Sequence, residues 1–189
     1  MKILLLDCDD SYTNNISDYL QQCGLELDLI HYSQFDISSQ FQYVAIVLPP
    51  GPKAPKDIPI LYNIIDKYKT KTNILGICLG HQAIGEYFGH KLSISYQPLH
   101  GVSTEIFHNQ DAIFNSMNMP SFLAMRYNSL TIEDCSSSDL EVICRDKNQE
   151  IMGLKHRFLP IYSFQFHPES VGTPQGMNLF QNWTKFINI

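Results

Sequence analysis

Apolar runs bounded by turn residues recur along the first half of the chain and alternate with stretches of helical period. Lys2–Leu6, Glu26–Ile30, Tyr43–Leu48 and Asn73–Ile77 read as strands. The last two are nearly continuous in Val, Ile and Leu, the pattern of strands covered on both faces. Between the strands, Tyr12–Cys23 places Ile16, Tyr19, Leu20 and Cys23 on one side of a helix, and Ile58–Tyr68 does the same with Ile58, Leu61, Ile64, Ile65 and Tyr68. Such alternation implies right-handed βαβ crossovers and a mostly parallel open sheet flanked by helices, an α/β fold.

The second half changes character. Lys91–Ile94, Val102–Phe107, Phe122–Met125, Glu141–Arg145, Ile151–Lys155 and Ile161–Gln165 are short apolar runs separated by polar turns. They predict a small antiparallel addition packed beside the parallel sheet, with some strands returning to it. Thr173-Pro174, a capping residue followed by a first-turn proline, predicts a last helix reaching to about Ile187. Its buried side would carry Met177, Phe180, Trp183 and Ile187. No repeat or linker interrupts the pattern, so one domain over residues 1–189 is expected.

A net charge of −6 without any basic run speaks against nucleic acid as a partner, since such surfaces need clustered Lys and Arg. The opening apolar run stops at Asp7, too early for a signal-peptide core or a membrane span. A cytoplasmic protein with no membrane attachment is therefore expected. Cys8, Cys23, Cys78, Cys135 and Cys144 lie far apart with no C-x-x-C, which suggests neither a disulfide framework nor a zinc site. Neither metal nor cofactor is expected.

One cysteine stands apart. Gly76-Ile77-Cys78-Leu79-Gly80-His81-Gln82 follows a buried strand and opens a helix. A nucleophile between two glycines at such a junction has the elbow geometry of the G-x-S-x-G hydrolases. The helix behind it aims free N–H groups and a partial positive charge at the sulfur, which favours thiolate over thiol. The Leu79 N–H is then placed to stabilise an oxyanion. Alone, the segment also fits a buried cysteine at a tight turn. Phe166-His167-Pro168-Glu169-Ser170 changes the balance, because His167 falls just past a strand end and Glu169 sits two residues on. A histidine held by a carboxylate can act as base and then acid, and Cys78, His167 and Glu169 complete a triad. Pro49-Pro50-Gly51-Pro52 reads by itself as a stiff surface turn; its functional reading makes Gly51 a second oxyanion donor.

Together these segments resemble class I glutamine amidotransferases, in particular the small subunits (component II) of anthranilate synthase and aminodeoxychorismate (para-aminobenzoate) synthase. Asp7-Cys8-Asp9-Asp10-Ser11-Tyr12-Thr13-Asn14-Asn15 resembles the family's D-N-x-D-S-F-T-x-N opening, and Pro50-Gly51-Pro52 its S-P-G-P-G-T-P loop. Gly76 to Gln82 matches G-x-C-L-G-H-Q, His100-Gly101 is similar to H-G-K, and Arg126-Tyr127-Asn128-Ser129-Leu130 to R-Y-H-S-L. His167-Pro168-Glu169-Ser170 and Thr173-Pro174-Gln175-Gly176 match the closing signature. The resemblance implies a flavodoxin-like sheet and a glutaminase reaction. Cys78 would form a γ-glutamyl thioester, His167 would protonate the departing ammonia and Glu169 would orient His167. Gly51 and Leu79 would bind the oxyanion. Gln82, with the main chain of Ser129 and Leu130, would hold the amino-acid end of glutamine. The implied partner is a chorismate-binding synthase subunit (component I) that receives the ammonia. Pro49, Lys53-Ala54, Val102-Ser103-Thr104 and Asn128 depart from the pattern without removing a triad member. The alternatives are the glutaminase domain of another class I amidotransferase and a catalytically weak regulatory subunit.

Overall fold

A computed structural model describes residues 2–39, 42–117 and 119–187. Strand β1 (Lys2–Asp7) serves two cores at once through its alternation. Ile3 and Leu5 face α1 (Tyr12–Gln22) and α4 (Gly176–Thr184), with Ile16, Leu20, Phe180 and Trp183. Leu4 and Leu6 face the opposite layer, with Leu61, Ile64 and Ile65 of α2 (Ile60–Tyr68) and Ala83 and Ile84 of α3 (Leu79–Tyr87). β3 (Ala45–Leu48) and β4 (Asn73–Ile77) are buried throughout and alternate in the same way. This explains why their sequences read as unbroken apolar runs.

β2 (Glu26–His31) lies at one edge, parallel to β1. β1 pairs with β3, β3 with β4, and β4 with β11 (Ile161–Phe164), all parallel. The sheet then continues antiparallel through β10 (Ile151–His156), β9 (Leu140–Asp146), β6 (Val102–His108) and β7 (Ser121–Arg126). Among the described residues the order is β2-β1-β3-β4-β11-β10-β9-β6-β7, a nine-stranded sheet. Its parallel part has the doubly wound flavodoxin-like order, which places ligands at the carboxyl ends of the strands. The antiparallel addition takes two forms. Four strands extend the main sheet, and β5 (Leu92–Ile94) pairs with β8 (Leu130–Ile132) in a separate two-stranded piece. No helix among the described residues is long and apolar enough to cross a membrane.

Several boundaries differ from the sequence pattern. α2 begins at Ile60 because Pro55–Asp57 closes a short 3₁₀ turn ahead of it. β8 has no counterpart in that pattern, since three residues after a polar turn carry too little period to register. The last helix starts at Gly176, not at Thr173, and ends at Thr184, with Ile187 packed beyond it in a turn. The Thr173 hydroxyl is already occupied. It donates to the His167 carbonyl at 2.7 Å and accepts the Met125 N–H at 2.9 Å, tertiary bonds that stand in place of a cap. The expected single domain over residues 1–189 reaches past the described residues at both ends.

Candidate active site

Strand β4 delivers Cys78 into a backbone conformation that a side chain seldom adopts, with φ 50° and ψ −99°. Tertiary contacts hold it there. The Cys78 N–H donates to the Phe164 carbonyl at 2.8 Å, and the Gly80 N–H to the Pro49 carbonyl at 3.2 Å. The two flanking glycines are needed for contact. A Cβ on Gly76 would lie 2.7 Å from the Gly80 carbonyl carbon, and one on Gly80 only 2.1 Å from the Leu48 oxygen. α3 therefore presses directly on β3 and β4, and its first turn points at the sulfur. Leu79 is the first residue of that helix, where an N–H has no acceptor within the helix. Gly51 packs beside it, since a Cβ there would lie 2.4 Å from Leu79 Cδ2.

His167 lies three residues beyond β11, the strand that pairs with β4. Its N–H donates to the Met125 carbonyl at 2.9 Å, which anchors it to β7. Its Nδ1 donates to Glu169 Oε1 at 2.6 Å, and both side chains are buried. Gly176 supports that turn, because a Cβ there would lie 1.7 Å from the Pro168 oxygen. Burial alone would push the His167 pKa down. The Glu169 carboxylate, and after it the Cys78 sulfur, outweigh burial and raise it well above the ordinary histidine value. His167 Nε2 is itself buried and has no hydrogen-bond partner of ordinary geometry, and the Cys78 sulfur is close enough to act on the charge of the ring.

A raised histidine pKa stabilises the fold below the pKa of an unfolded histidine, and that contribution is lost as pH rises through the folded value. Glu169→Gln should therefore move the His167 titration down toward the ordinary range and narrow the pH window of this stabilisation. Ring-proton NMR of His167 across a pH series measures the shift, and an unmoved titration would mean that Glu169 does not set it. His81, in the first turn of α3, behaves oppositely. Burial pushes its pKa down to about 3, and its Nδ1 meets Ser163 Oγ at 2.9 Å, so it stays neutral.

Cys78 and His167 line one cavity of about 430 Å³ together with Gly51, Gln82, Ser129 and Leu130. Of the other residues singled out in the sequence, Leu79 and Glu169 are buried and do not line the cavity; Leu79 follows Cys78 in the chain, and Glu169 holds His167. The Gln82 side chain donates to Gln165 Oε1 at 3.1 Å and to the Leu130 carbonyl at 3.4 Å. The Ser129 carbonyl accepts the Ser95 N–H at 2.9 Å and keeps one lone pair for a ligand, whereas the Leu130 carbonyl accepts Asn128 Nδ2 at 2.9 Å as well as Gln82. Asp10, Tyr12, Lys53, His100 and Tyr127 also line the cavity. Sequence reasoning gave these no role, although Asp10, Tyr12, His100 and Tyr127 lie inside the quoted motifs. The departures from those motifs find local partners. Lys53 Nζ donates to Tyr32 OH at 2.9 Å and approaches Asp9 Oδ2 at 4.0 Å, which tethers the Gly51 loop. Asn128 bridges Arg126 Nε, at 3.0 Å, to the Leu130 carbonyl.

The fold and the cavity thus define an α/β protein with a cysteine on a nucleophile elbow and a histidine–carboxylate pair beside it. The sequence profile of the glutamine amidotransferase class-I family matches residues 4–186, and the chain belongs to that family. It is 35% identical to anthranilate synthase component 2 of Pseudomonas putida, over 98% of this chain and 97% of that one. It is 34% identical to the bifunctional protein TrpGD of Thermotoga maritima, matching with 100% of its own length but spanning only 32% of that protein. The crystal structure of a provisionally assigned GMP synthase subunit from Thermoplasma acidophilum superposes with a TM-score of 0.87 at 23% identity. That match covers 98% of this chain and 92% of the other and reflects the shared fold. The protein is accordingly a glutamine amidotransferase.

Proposed function

We propose that the chain is the glutamine-cleaving subunit of a cytoplasmic chorismate-aminating complex, delivering ammonia to a chorismate-binding synthase subunit. The observation that carries this reading is Cys78 at φ 50° on its elbow, facing the same cavity as the His167–Glu169 pair. The relatives named as anthranilate synthase component 2, matched over nearly their full length, favour anthranilate as the product.

In this reading the Cys78 thiolate attacks the side-chain amide carbon of glutamine. A C–S bond forms and the carbonyl electrons move to oxygen, where the Gly51 and Leu79 N–H groups receive them. Collapse expels the amine, which takes a proton from the His167 imidazolium and leaves as ammonia. Water then attacks the thioester, its proton passes to His167, and Cys78 departs as glutamate is released. Glu169 keeps the imidazole in the tautomer that both steps need. Gln82, Ser129 and Leu130 hold the amino-acid end. The synthase docks near Gly51, Cys78 and Val102–Thr104, where it reaches the oxyanion loop.

Glutamate release by the chain alone, with the synthase, and with synthase plus chorismate tests the reading. The isolated chain should be slow. Reorienting one oxyanion donor is worth about 3 kcal/mol, so the complex should be about a hundredfold faster. Equal rates in all three conditions would make a stand-alone glutamine hydrolase the better description.

A further inference from the structure

Two tyrosines meet across the mouth of the cavity. Tyr12 is the first residue of α1, and its N–H is held by Asp10 Oδ1 at 2.8 Å. Tyr127 follows β7 and begins the loop that runs through Asn128 and Ser129 to Leu130. Though 115 positions apart, their hydroxyls are 2.5 Å from one another. Their rings lie 5.1 Å apart, and both rest on the His167 imidazole, at 5.2 Å for Tyr12 and 5.0 Å for Tyr127.

The other polar ties of the loop run to its own side of the molecule. Asn128 is bound to Arg126, the Ser129 carbonyl to Ser95, and Ser129 Oγ to His100 Nε2 at 3.0 Å. Among the described residues, the loop reaches the parallel half, which carries Cys78, through the long Gln82–Leu130 contact at 3.4 Å and the tyrosine bridge. The bridge is thus the shorter of the two links between the loop and the half that holds the nucleophile.

We propose that Tyr12 is a positioning residue that sets the 127–130 loop over the cavity through its hydroxyl bond to Tyr127. The proposal rests on the reading of this cavity as the glutamine site. The bond to Tyr127, and burial after it, push the Tyr12 phenol above its ordinary pKa, so it stays an O–H group near neutral pH. A bond between two neutral hydroxyls is strong enough to bias a loop and weak enough to open when substrate enters. Tyr12→Phe removes the bridge and leaves the ring on His167.

The test is inactivation of the full chain by a chloroketone analogue of glutamine, which must be seated by the loop, set against iodoacetamide, which need not be. Wild type, Tyr12→Phe, Tyr127→Phe and the double variant are compared, with glutamine KM and kcat in the presence of the synthase. Each single variant should raise the half-saturating chloroketone concentration and the KM about five-fold, equivalent to about 1 kcal/mol, with kcat within about a factor of two. The double variant should do no more than Tyr12→Phe alone, since every variant breaks the same Tyr12–Tyr127 bond. Iodoacetamide rates should be unchanged. An unshifted Tyr12→Phe would overturn the proposal. So would a double variant whose effects multiply, because the hydroxyls would then act separately, or iodoacetamide rates that fall in step, because the whole site would then have loosened. If wild type shows no saturable inactivation at all, the glutamine reading itself falls, and the proposal with it.

Discussion

Cys78→Ala should abolish glutamine-dependent amination by the complex, with a loss on the order of 10⁴-fold or more, while synthesis from added ammonia continues. Cys78 projects from a strained elbow into the cavity beside His167, and no other cysteine can take over. Cys8 lies near Gly51, but burial, with Asp7 adding to it, pushes its thiol up to about 12. Cys144 is buried on β9, and burial raises its thiol well above the ordinary value. The variant should fold, because alanine is smaller than cysteine and the strain belongs to the backbone. Both rates are measured on one preparation of the complex. Glutamine-dependent turnover above a few per cent would remove Cys78 from the role of nucleophile, and a parallel loss of ammonia-dependent synthesis would point to failed assembly.

The second large effect concerns stability. Arg126 is fully buried, with Nη1 on Asp146 Oδ2 at 2.6 Å, Nη2 on Glu150 Oε2 at 2.7 Å and Nε on Asn128 Oδ1. Both carboxylates accept further bonds. Asp146 Oδ1 takes the Asn148 and Glu150 N–H groups at 2.9 Å, and Glu150 takes Ser95 Oγ at 3.0 Å and the Tyr96 N–H at 2.6 Å. Arg126→Met would strand two buried carboxylates and should cost about 3–5 kcal/mol, read as a lower urea midpoint. Replacing the carboxylates as well, with Asp146→Asn and Glu150→Gln, should recover much of that loss, because the cost lies in uncompensated charge. A loss below about 1 kcal/mol for Arg126→Met would mean that water reaches the cluster and screens it. The same cluster holds Asn128, and through it the Leu130 carbonyl, so Arg126→Met should also raise the glutamine KM.

Much of this protein is legible in the sequence alone. The parallel strands and their helices follow from local period, since β1, β3 and β4 feed apolar residues to two layers and leave no polar face to confuse the pattern. Cys78, His167 and Glu169 can be singled out because each lies beside a strand end or turn with residues of restricted shape, glycine at 76 and 80 and proline at 168. Long-range packing decided the rest. Thr173 has the sequence of a helix cap, but its hydroxyl is claimed by His167 and Met125, so the helix begins later. Arg126 stands in a recognisable motif, but only the fold brings Asp146 and Glu150 to it from another strand and turn. The Tyr12–Tyr127 bridge has no local signature at all, because it joins residues that only the closing of the sheet brings together. Local pattern can set period and backbone shape, but the partner of a buried polar atom is chosen by tertiary geometry, since burial leaves that atom no water to fall back on.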